Sequence, residues 1–239
     1  MTHPAITTAV DYLRRRGHPI PPEVSIHLHP ADLTSAEKAA IAELKKATKQ
    51  AGYAAARADL WATVYDAVTV YLNSPSPTTN FVSVVVAAVA QAYLETADIA
   101  YVDGGGSLPL DADTAAWVKA EMDAQFAYVD SMFQTLKELR KEGDFDAIHE
   151  GFRRADGYAN SLDILFNNVK TMAAGNKMLT FGGSDGKESC SDCKRYKGKR
   201  HRASWWVSHD AVPPNRGFEC HGYRCEHRLY DDQGNEWSV

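Results

Sequence analysis

The first 189 residues of this chain contain no cysteine, and several other features are also missing from it. No uninterrupted apolar run is long enough to cross a bilayer, because Phe81–Ala90 is followed by Gln91, Glu95 and Asp98 on the same predicted helix. The N-terminus lacks the basic-then-apolar layout and small-residue cleavage site of a signal peptide. These absences predict a cytoplasmic origin, no membrane partner, and thiols that bind metal in preference to forming disulfides.

The common catalytic signatures are absent as well. The sequence contains no P-loop, no Gly-x-Ser-x-Gly nucleophile motif and no dinucleotide-binding fingerprint. The glycine-rich segment Asp103–Gly106 has no predicted strand before it, so it is predicted to be a turn between helices and not a phosphate cradle. No repeat at a fixed period is present. We therefore expect a protein that is not an enzyme.

Apolar residues recur at helical spacing through most of the first 180 residues. A short amphipathic stretch at Ile6–Arg16 precedes a long helix, which Thr34 caps and Gly52 interrupts. A breaker at Asn73–Pro77 ends it, and the third long helix begins at Asp111 or Asp113. The predicted long helices cover about residues 34–72, 79–101, 111–143 and 145–176. These apolar stripes are predicted to form the core of a helix bundle.

The fold class predicted is mainly α, with a small C-terminal domain. We expect an elongated helical body of about four to five helices, followed by a zinc-knuckle or ribbon domain with short strands. The predicted strands lie around Ser204–Ser208 and His227–Tyr230. The predicted divisions are 1–33 (short helix and Pro-rich segment), 34–180 (helical body) and 181–239 (zinc-binding domain).

All four cysteines lie in the last fifty residues, as Cys190-x2-Cys193 and Cys220-x4-Cys225. Two close pairs of soft ligands separated by about 26 residues predict a tetrahedral structural zinc site, with two disulfides as the alternative. His227 is the main substitute for one of the cysteines. Four thiols favour a closed site, whereas a catalytic zinc needs an open coordination position.

Six basic side chains follow the first cysteine pair closely. They are Lys194, Arg195, Lys197, Lys199, Arg200 and Arg202. One interpretation is that they offset the net charge of −2 on a zinc bound by four thiolates. The other is that they bind nucleic acid through its phosphates, with Tyr196 and the Trp205-Trp206 pair stacking on bases. Packing in a small core explains two adjacent tryptophans equally well.

A nuclease is the least favoured interpretation. The segment Ser208–Pro213 lies between two cysteine pairs, as in zinc-bearing HNH nucleases, and Asn215 and His221 or His227 are the further candidates. Those enzymes carry Asp-His at this point, whereas the order here is His209-Asp210. The pattern therefore departs from theirs at the residue that would activate water.

Several short segments occur in a characteristic order between about residues 80 and 230. They are Ala100–Gly105, Leu110–Asp113, Gln125–Val129, Arg154–Ala159, Cys190–Cys193, Gly198-Lys199, Pro213-Pro214 and the second cysteine pair. Taken together, these segments resemble the minor head, or head morphogenesis, proteins of tailed bacteriophages, the Mu F-like group. Members of that group often end in a Cys-x-Cys-like pair, whereas this chain has Cys225-Glu226-His227, so both Cys225 and His227 stay open as the fourth ligand.

The resemblance implies a virion component that is not an enzyme. It places the protein in the phage head, as a minor capsid or head morphogenesis protein that is assembled in the host cytoplasm. The partners that it implies are the portal protein or the major capsid protein. Packaged DNA and further copies of the chain are additional candidates.

Overall fold

A computed structural model describes residues 35–75, 80–143, 145–183, 190–221 and 226–238, with side chains from residue 49 onward. The chain divides into two compact units, Met1–Lys45 and Lys46–Val239. All side-chain contacts below lie in the second unit. The predicted segment 1–33, with its short helix, and the Thr34 cap lie outside the described residues.

Four long helices make up most of the described chain, and they confirm the prediction of a mainly helical fold. Their bounds are α1 Ser35–Asn73, α2 Phe81–Asp103, α3 Ala112–Glu142 and α4 Ala147–Ala174. Gly52, which was predicted to interrupt the first helix, lies inside a continuous α1, and a Cβ there would stand 3.2 Å from Ile99 of α2. Gly143, with φ of 74°, ends α3 as predicted.

Polar side chains satisfy backbone groups at the start of α3 and at the end of α1. The carboxylate of Asp111 accepts a hydrogen bond from the backbone N–H of Thr114 at 2.7 Å, so Asp111 and not Asp113 caps α3. At the other end of α3, the Arg140 guanidinium donates to the carbonyl oxygen of Tyr71 at 2.6 Å. An arginine of one helix therefore satisfies the last carbonyls of another.

The helical core is built around α2, which packs against α4 and α3. The buried residues of α2 recur every three or four positions along one face: Phe81, Val85, Val89, Ala92, Tyr93, Thr96, Ala97, Ala100 and Tyr101. With a mean hydropathy of 1.4, α2 is the one helix among the described residues that is long and apolar enough to cross a membrane. The core helices of soluble proteins can be equally long and apolar.

A three-stranded antiparallel sheet follows the helices. Strand β1 covers Met178–Gly182 and lies between β2, Arg200–Arg202, and β3, Arg228–Tyr230. In register, Leu179 pairs with His201 and Phe181 pairs with Leu229. The strand β3 agrees with the prediction around His227–Tyr230. Strand β1 crosses the predicted boundary between residues 180 and 181, and the division into domains stays a prediction.

Two short helices lie between the strands: α5, Ser191–Tyr196, and α6, Ala203–Ser208. The prediction of a strand around Ser204–Ser208 is therefore wrong. The backbone N–H groups of Ala203 and Ser204 donate to carbonyl oxygens of Lys177 and Gly175, at 2.8 and 2.9 Å. The chain just after α4 thus satisfies donors that start α6, and such a non-local partner has no local sequence signal.

The C-terminal segment, which begins with β1 at Met178, has a small core of its own. Its largest fully buried side chain, Trp206, donates from Nε1 to the carbonyl oxygen of Leu179 at 3.2 Å. Phe181 of β1 packs on it, with ring centroids 5.7 Å apart. The other buried apolar residues are Leu179, Cys193, Tyr196, Ala203, Ala211, Val212, Phe218, Leu229 and Trp237. Trp206 therefore packs in the core, as one of the two interpretations of the Trp205-Trp206 pair predicted.

Candidate metal centre

Three of the four cysteines come together at one point of the C-terminal segment. The sulfur atoms of Cys190, Cys193 and Cys220 all lie within 4.8 Å of one another. Within the described ranges, they are the only group of three or more His, Cys, Asp or Glu side chains arranged to hold a metal ion. The fourth cysteine, Cys225, lies outside the described residues.

The spacing of these sulfur atoms fits a bound metal ion. In a tetrahedral site with metal–sulfur bonds of about 2.3 Å, the sulfur atoms stand about 3.8 Å apart. The three thiols therefore need to close by no more than about 1 Å to reach that geometry. Cys193 is buried, while Cys190 and Cys220 are half-buried, so the group lies at the edge of the small core.

The first cysteine pair is shaped by the start of α5. Cys190 is the residue before the helix, and its sulfur accepts a hydrogen bond from the backbone N–H of Cys193 at 3.4 Å. A sulfur atom thus takes the place of the oxygen that usually caps a helix. The two-residue spacing brings the second sulfur back beside the first, and this gives the Cys-x2-Cys segment its tight turn.

The surroundings of Cys190 favour its thiolate form. Burial disfavours its charge, but hydrogen bonds from Cys193 and Cys220 outweigh that effect and lower the pKa of Cys190 below its ordinary value. The thiolate is the form that binds metal and also the form that acts as a nucleophile. Three converging sulfur atoms favour the metal, because a nucleophilic cysteine needs no second and third thiol beside it.

Acidic side chains join the two cysteine segments. The Glu219 carboxylate accepts hydrogen bonds from the backbone N–H and the hydroxyl of Ser191, at 2.9 and 2.8 Å. In return, the Asp192 carboxylate accepts from the backbone N–H of Glu219 at 3.0 Å. The N–H and hydroxyl of Ser191 also lower the pKa of Glu219. We call Ser191, Asp192 and Glu219 the acidic brace, since it holds Cys220 beside the Cys190–Cys193 turn.

The brace was not predicted from the sequence. Asp192 lies between the two cysteines of the first pair, and Glu219 directly precedes Cys220. That placement is the one signal that could have indicated it. The partner of each carboxylate is on the other cysteine segment, so sequence spacing alone does not pair them.

His227, the predicted substitute ligand, occupies a different place. It is buried, with 2% of its surface exposed, and its ring stacks on Phe181 with centroids 5.4 Å apart. A Cβ on Gly183 would stand 3.0 Å from its ring, so the backbone passes close by. His227 is not among the described side chains that cluster with the three sulfur atoms.

The six basic side chains after the first cysteine pair are all exposed, but several have local partners. Arg200 donates to Asp232 at 2.7 Å. Arg195 lies 3.3 Å from the Asp192 carboxylate, and its guanidinium lies over the Tyr196 ring. These contacts use part of the positive charge inside the C-terminal segment itself.

The tryptophans of this segment do not present open faces for stacking. Trp206 is fully buried. Trp205 lies between the imidazoles of His201 and His209, with ring centroids at 3.7 and 4.0 Å. Both faces of its indole are therefore occupied, and the stacking part of the nucleic-acid interpretation has no free tryptophan face.

His209 and Asn215, two of the residues compared with HNH nucleases, contact residues close to them in the chain. His209 stacks on Trp205, and its Nδ1 lies 2.9 Å from the carbonyl oxygen of that residue. Asn215 donates to both the carbonyl and the carboxylate of Asp210, at 2.8 and 3.0 Å. These contacts hold α6 and the loop after it together.

Comparison with known proteins gives no match, since no family model, no curated protein and no solved structure is significantly similar to this chain.

Proposed function

We propose that the protein is a structural or assembly component of a tailed-phage head, a minor head protein with a structural zinc site and no enzymatic activity. The observation that carries the proposal is the cluster of three cysteines in a small C-terminal core that is packed on a long helical body. This combination is what the resemblance of the ordered segments to the Mu F-like group leads us to expect.

Zinc is the metal that suits the site best. Thiolates are soft ligands that select zinc or copper(I) over magnesium and calcium, and a tetrahedral arrangement of sulfur favours zinc. Cys190, Cys193 and Cys220 would hold it, and Cys225 is the fourth ligand that we favour. His227 is the less favoured choice because it stacks on Phe181, outside the sulfur cluster. Bound zinc would supply a cross-link between two chain segments.

A structural site is more consistent with the surroundings than a catalytic one. The acidic brace fixes both cysteine segments around the sulfur atoms, and its carboxylates are already engaged with backbone N–H groups. These bonds lower the pKa of Glu219, which makes its carboxylate a poor general base near the metal. A small core of this size gains stability from a metal cross-link, as other small domains do.

The helical body has the features of an assembly component. Two of the segments that carry the resemblance contact each other across the turn after α2, where the Tyr101 hydroxyl donates to the Asp111 carboxylate at 2.7 Å. The body also exposes large apolar side chains: Val70, Val84, Leu94, Tyr128, Ile148 and Phe152. Such residues suit contacts with the portal, the major capsid protein or further copies of the chain.

Two measurements test this proposal. Elemental analysis of protein purified under reduction and without chelator should find about one zinc per chain, as a closed four-ligand site requires. Mass spectrometry of virions, produced by a genome that carries this gene, should find the chain in a fixed ratio to the portal protein. Zinc near zero would contradict the metal site, and absence of the chain from virions and from assembling heads would contradict the phage role.

Nucleic-acid binding is the second candidate, supported by the exposure of all six basic side chains. It requires an affinity that falls steeply with salt and weakens on charge reversal of Lys197, Lys199 and Arg200. A filter-binding or anisotropy titration at 50 and 200 mM salt measures this. Binding that is absent, or equally strong at both salt concentrations, would remove this candidate and leave the structural role untouched.

A further inference from the structure

We infer that the metal site and the helical body are coupled through Arg216: docking of this side chain on α3 holds Cys220 in the metal-binding arrangement. Metal binding and docking therefore strengthen each other. The inference rests on the proposed metal site, and it adds a connection between that site and the part of the molecule that would meet a partner.

Arg216 reaches from the C-terminal segment to α3. Its guanidinium lies 3.3 Å from the Glu121 carboxylate. The Gln125 amide, with its oxygen turned toward the arginine, accepts from both terminal guanidinium nitrogens at 2.9 and 3.0 Å. Gln125 is 3% exposed and the Arg216 side chain is 36% exposed, so this half-buried polar contact fixes the position of Arg216 on the helix. Charge-assisted, forked contacts of this kind are geometrically specific.

The loop between Arg216 and Cys220 is held by its own hydrogen bonds. The backbone N–H of Gly217 donates to the Asn215 side chain at 2.6 Å, and Asn215 is itself 3% exposed. The N–H of His221, the residue after Cys220, donates to the carbonyl oxygen of Phe218 at 2.7 Å. The ring of His221 also lies within hydrogen-bond distance of the carbonyl of Arg216, at 3.1 Å.

His221 adopts a left-handed backbone conformation, with φ of 50°. A non-glycine residue pays a free-energy cost there, so the surrounding contacts must hold it in place. The contacts that do so are those to Phe218 and Arg216. A displacement of Arg216 is therefore transmitted to Cys220 by a short, braced loop and is not absorbed by a flexible one.

The start of the same loop is also attached to the helical body. The Asn167 side chain of α4 donates to the carbonyl oxygen of Pro213 at 3.1 Å, in a buried contact. Phe218, further along the loop, stacks on Tyr196 of α5 with centroids 5.6 Å apart. The loop thus contacts α3, α4 and the first cysteine segment. Together these contacts fix the position of Cys220 in the proposed metal site.

Because binding free energies are reciprocal, whatever the docked loop adds to metal affinity, the metal adds to docking. Coupling between sites typically changes affinity about 5- to 150-fold. Release of Arg216 should therefore weaken metal binding by at least about fivefold, although no metal ligand is changed.

The test titrates the full-length, reduced protein with Co²⁺, follows the thiolate-to-cobalt absorption, and then competes the cobalt off with Zn²⁺. Arg216→Ala should weaken cobalt affinity at least about fivefold, while its spectrum at saturation stays that of the wild type. Arg153→Ala is the matched control, because it removes an arginine whose carboxylate partner, Glu150, lies one turn away on the same helix, α4. It should leave affinity within about twofold.

Glu121→Gln provides a second variant, in which the C-terminal segment is unchanged. It should weaken affinity in the same direction as Arg216→Ala, and combining the two should add little, because both act through one contact. The rise in melting temperature on zinc addition should also be smaller in Arg216→Ala than in Arg153→Ala.

Equal cobalt affinities for Arg216→Ala and Arg153→Ala would overturn the coupling and leave the metal site standing. If Arg216→Ala did not fold, Glu121→Gln alone would decide, and wild-type affinity in that variant would overturn the coupling. Failure of the wild type to bind either metal would overturn the metal site and the coupling together.

Discussion

Replacing Gly104 with alanine should destabilise the protein by about 2–3 kcal/mol, the upper part of the range for overpacked sites. A Cβ at this position would stand 2.3 Å from the carbonyl oxygen of Lys170 and 2.7 Å from the Cβ of Ala173. Contact at ordinary van der Waals distance begins at 3.4 Å, so the turn after α2 and the end of α4 would have to separate by about 1 Å. Gly104 has φ of −72°, which alanine adopts easily, so the cost is steric.

The separation would also loosen contacts that connect the helices to the C-terminus. Asp103, next to Gly104, pairs with Lys170 at 2.7 Å, and the Lys170 ammonium lies 4.7 Å from the Trp237 ring centroid. Urea unfolding followed by far-UV circular dichroism measures the change, provided that the slope against denaturant stays constant.

Gly157→Ala is the matched control for this prediction. Gly157 is an exposed position inside α4, and a Cβ there would meet nothing within 4 Å. Alanine should therefore stabilise the helix by about 0.5–1 kcal/mol. The two substitutions are chemically identical and should act with opposite sign. A Gly104→Ala protein as stable as the wild type would refute the close approach of this turn to α4.

Three further predictions concern the site and one ion pair. Cys225→Ser should abolish zinc retention in elemental analysis, whereas His227→Gln should keep about one zinc per chain, and the opposite result would exchange the two ligands. Glu219→Gln should weaken cobalt affinity about three- to tenfold, since the brace loses its charge-assisted bonds to Ser191; unchanged affinity would refute the brace. Despite burial, bonds and charges from Lys170 and Lys49 lower the pKa of Asp103, so its stabilisation is present above about pH 4 and lost on acidification through the lowered value. Asp103→Asn should therefore be about 1–2 kcal/mol less stable than the wild type at pH 7. The urea midpoints of the two proteins should converge as the pH falls through the lowered pKa of Asp103; a constant difference would refute the pairing.

The long helices could be predicted from the sequence because their signals are local. Apolar spacing marks the buried face of α2, and Gly143 ends α3 where a left-handed residue is needed. By sequence, Asp111 and Asp113 are equally good caps for α3. The structure distinguishes them, because the Asp111 carboxylate accepts the hydrogen bond from the backbone N–H of Thr114. The same local reasoning placed an interruption at Gly52, where the close contact with Ile99 makes a glycine useful inside a continuous helix.

The sheet and the surroundings of the metal site depend on distant parts of the chain. Strand β1 was not predicted, because its partner strands lie about twenty and fifty residues away in the chain. Helix α6 was predicted as a strand, because the carbonyls that accept from its first N–H groups come from the chain just after α4 and leave no local sequence signal. Cysteine spacing did indicate the group in which three sulfur atoms meet. The contacts that hold this group, from Glu219 and from Arg216, join residues without any common spacing.

The central position of β1 decides how the chain can be divided. A protein cut after residue 180 would keep Met178–Thr180 but lose both neighbouring strands, and so would present bare backbone edges that promote aggregation. A protein cut after Ala174 would instead remove the whole sheet and leave the end of α4 without the helix that packs on it. Any exchange of the cysteine-bearing segment between proteins, in the laboratory or in evolution, therefore has to begin at the end of α4 and bring a matching helix surface with it.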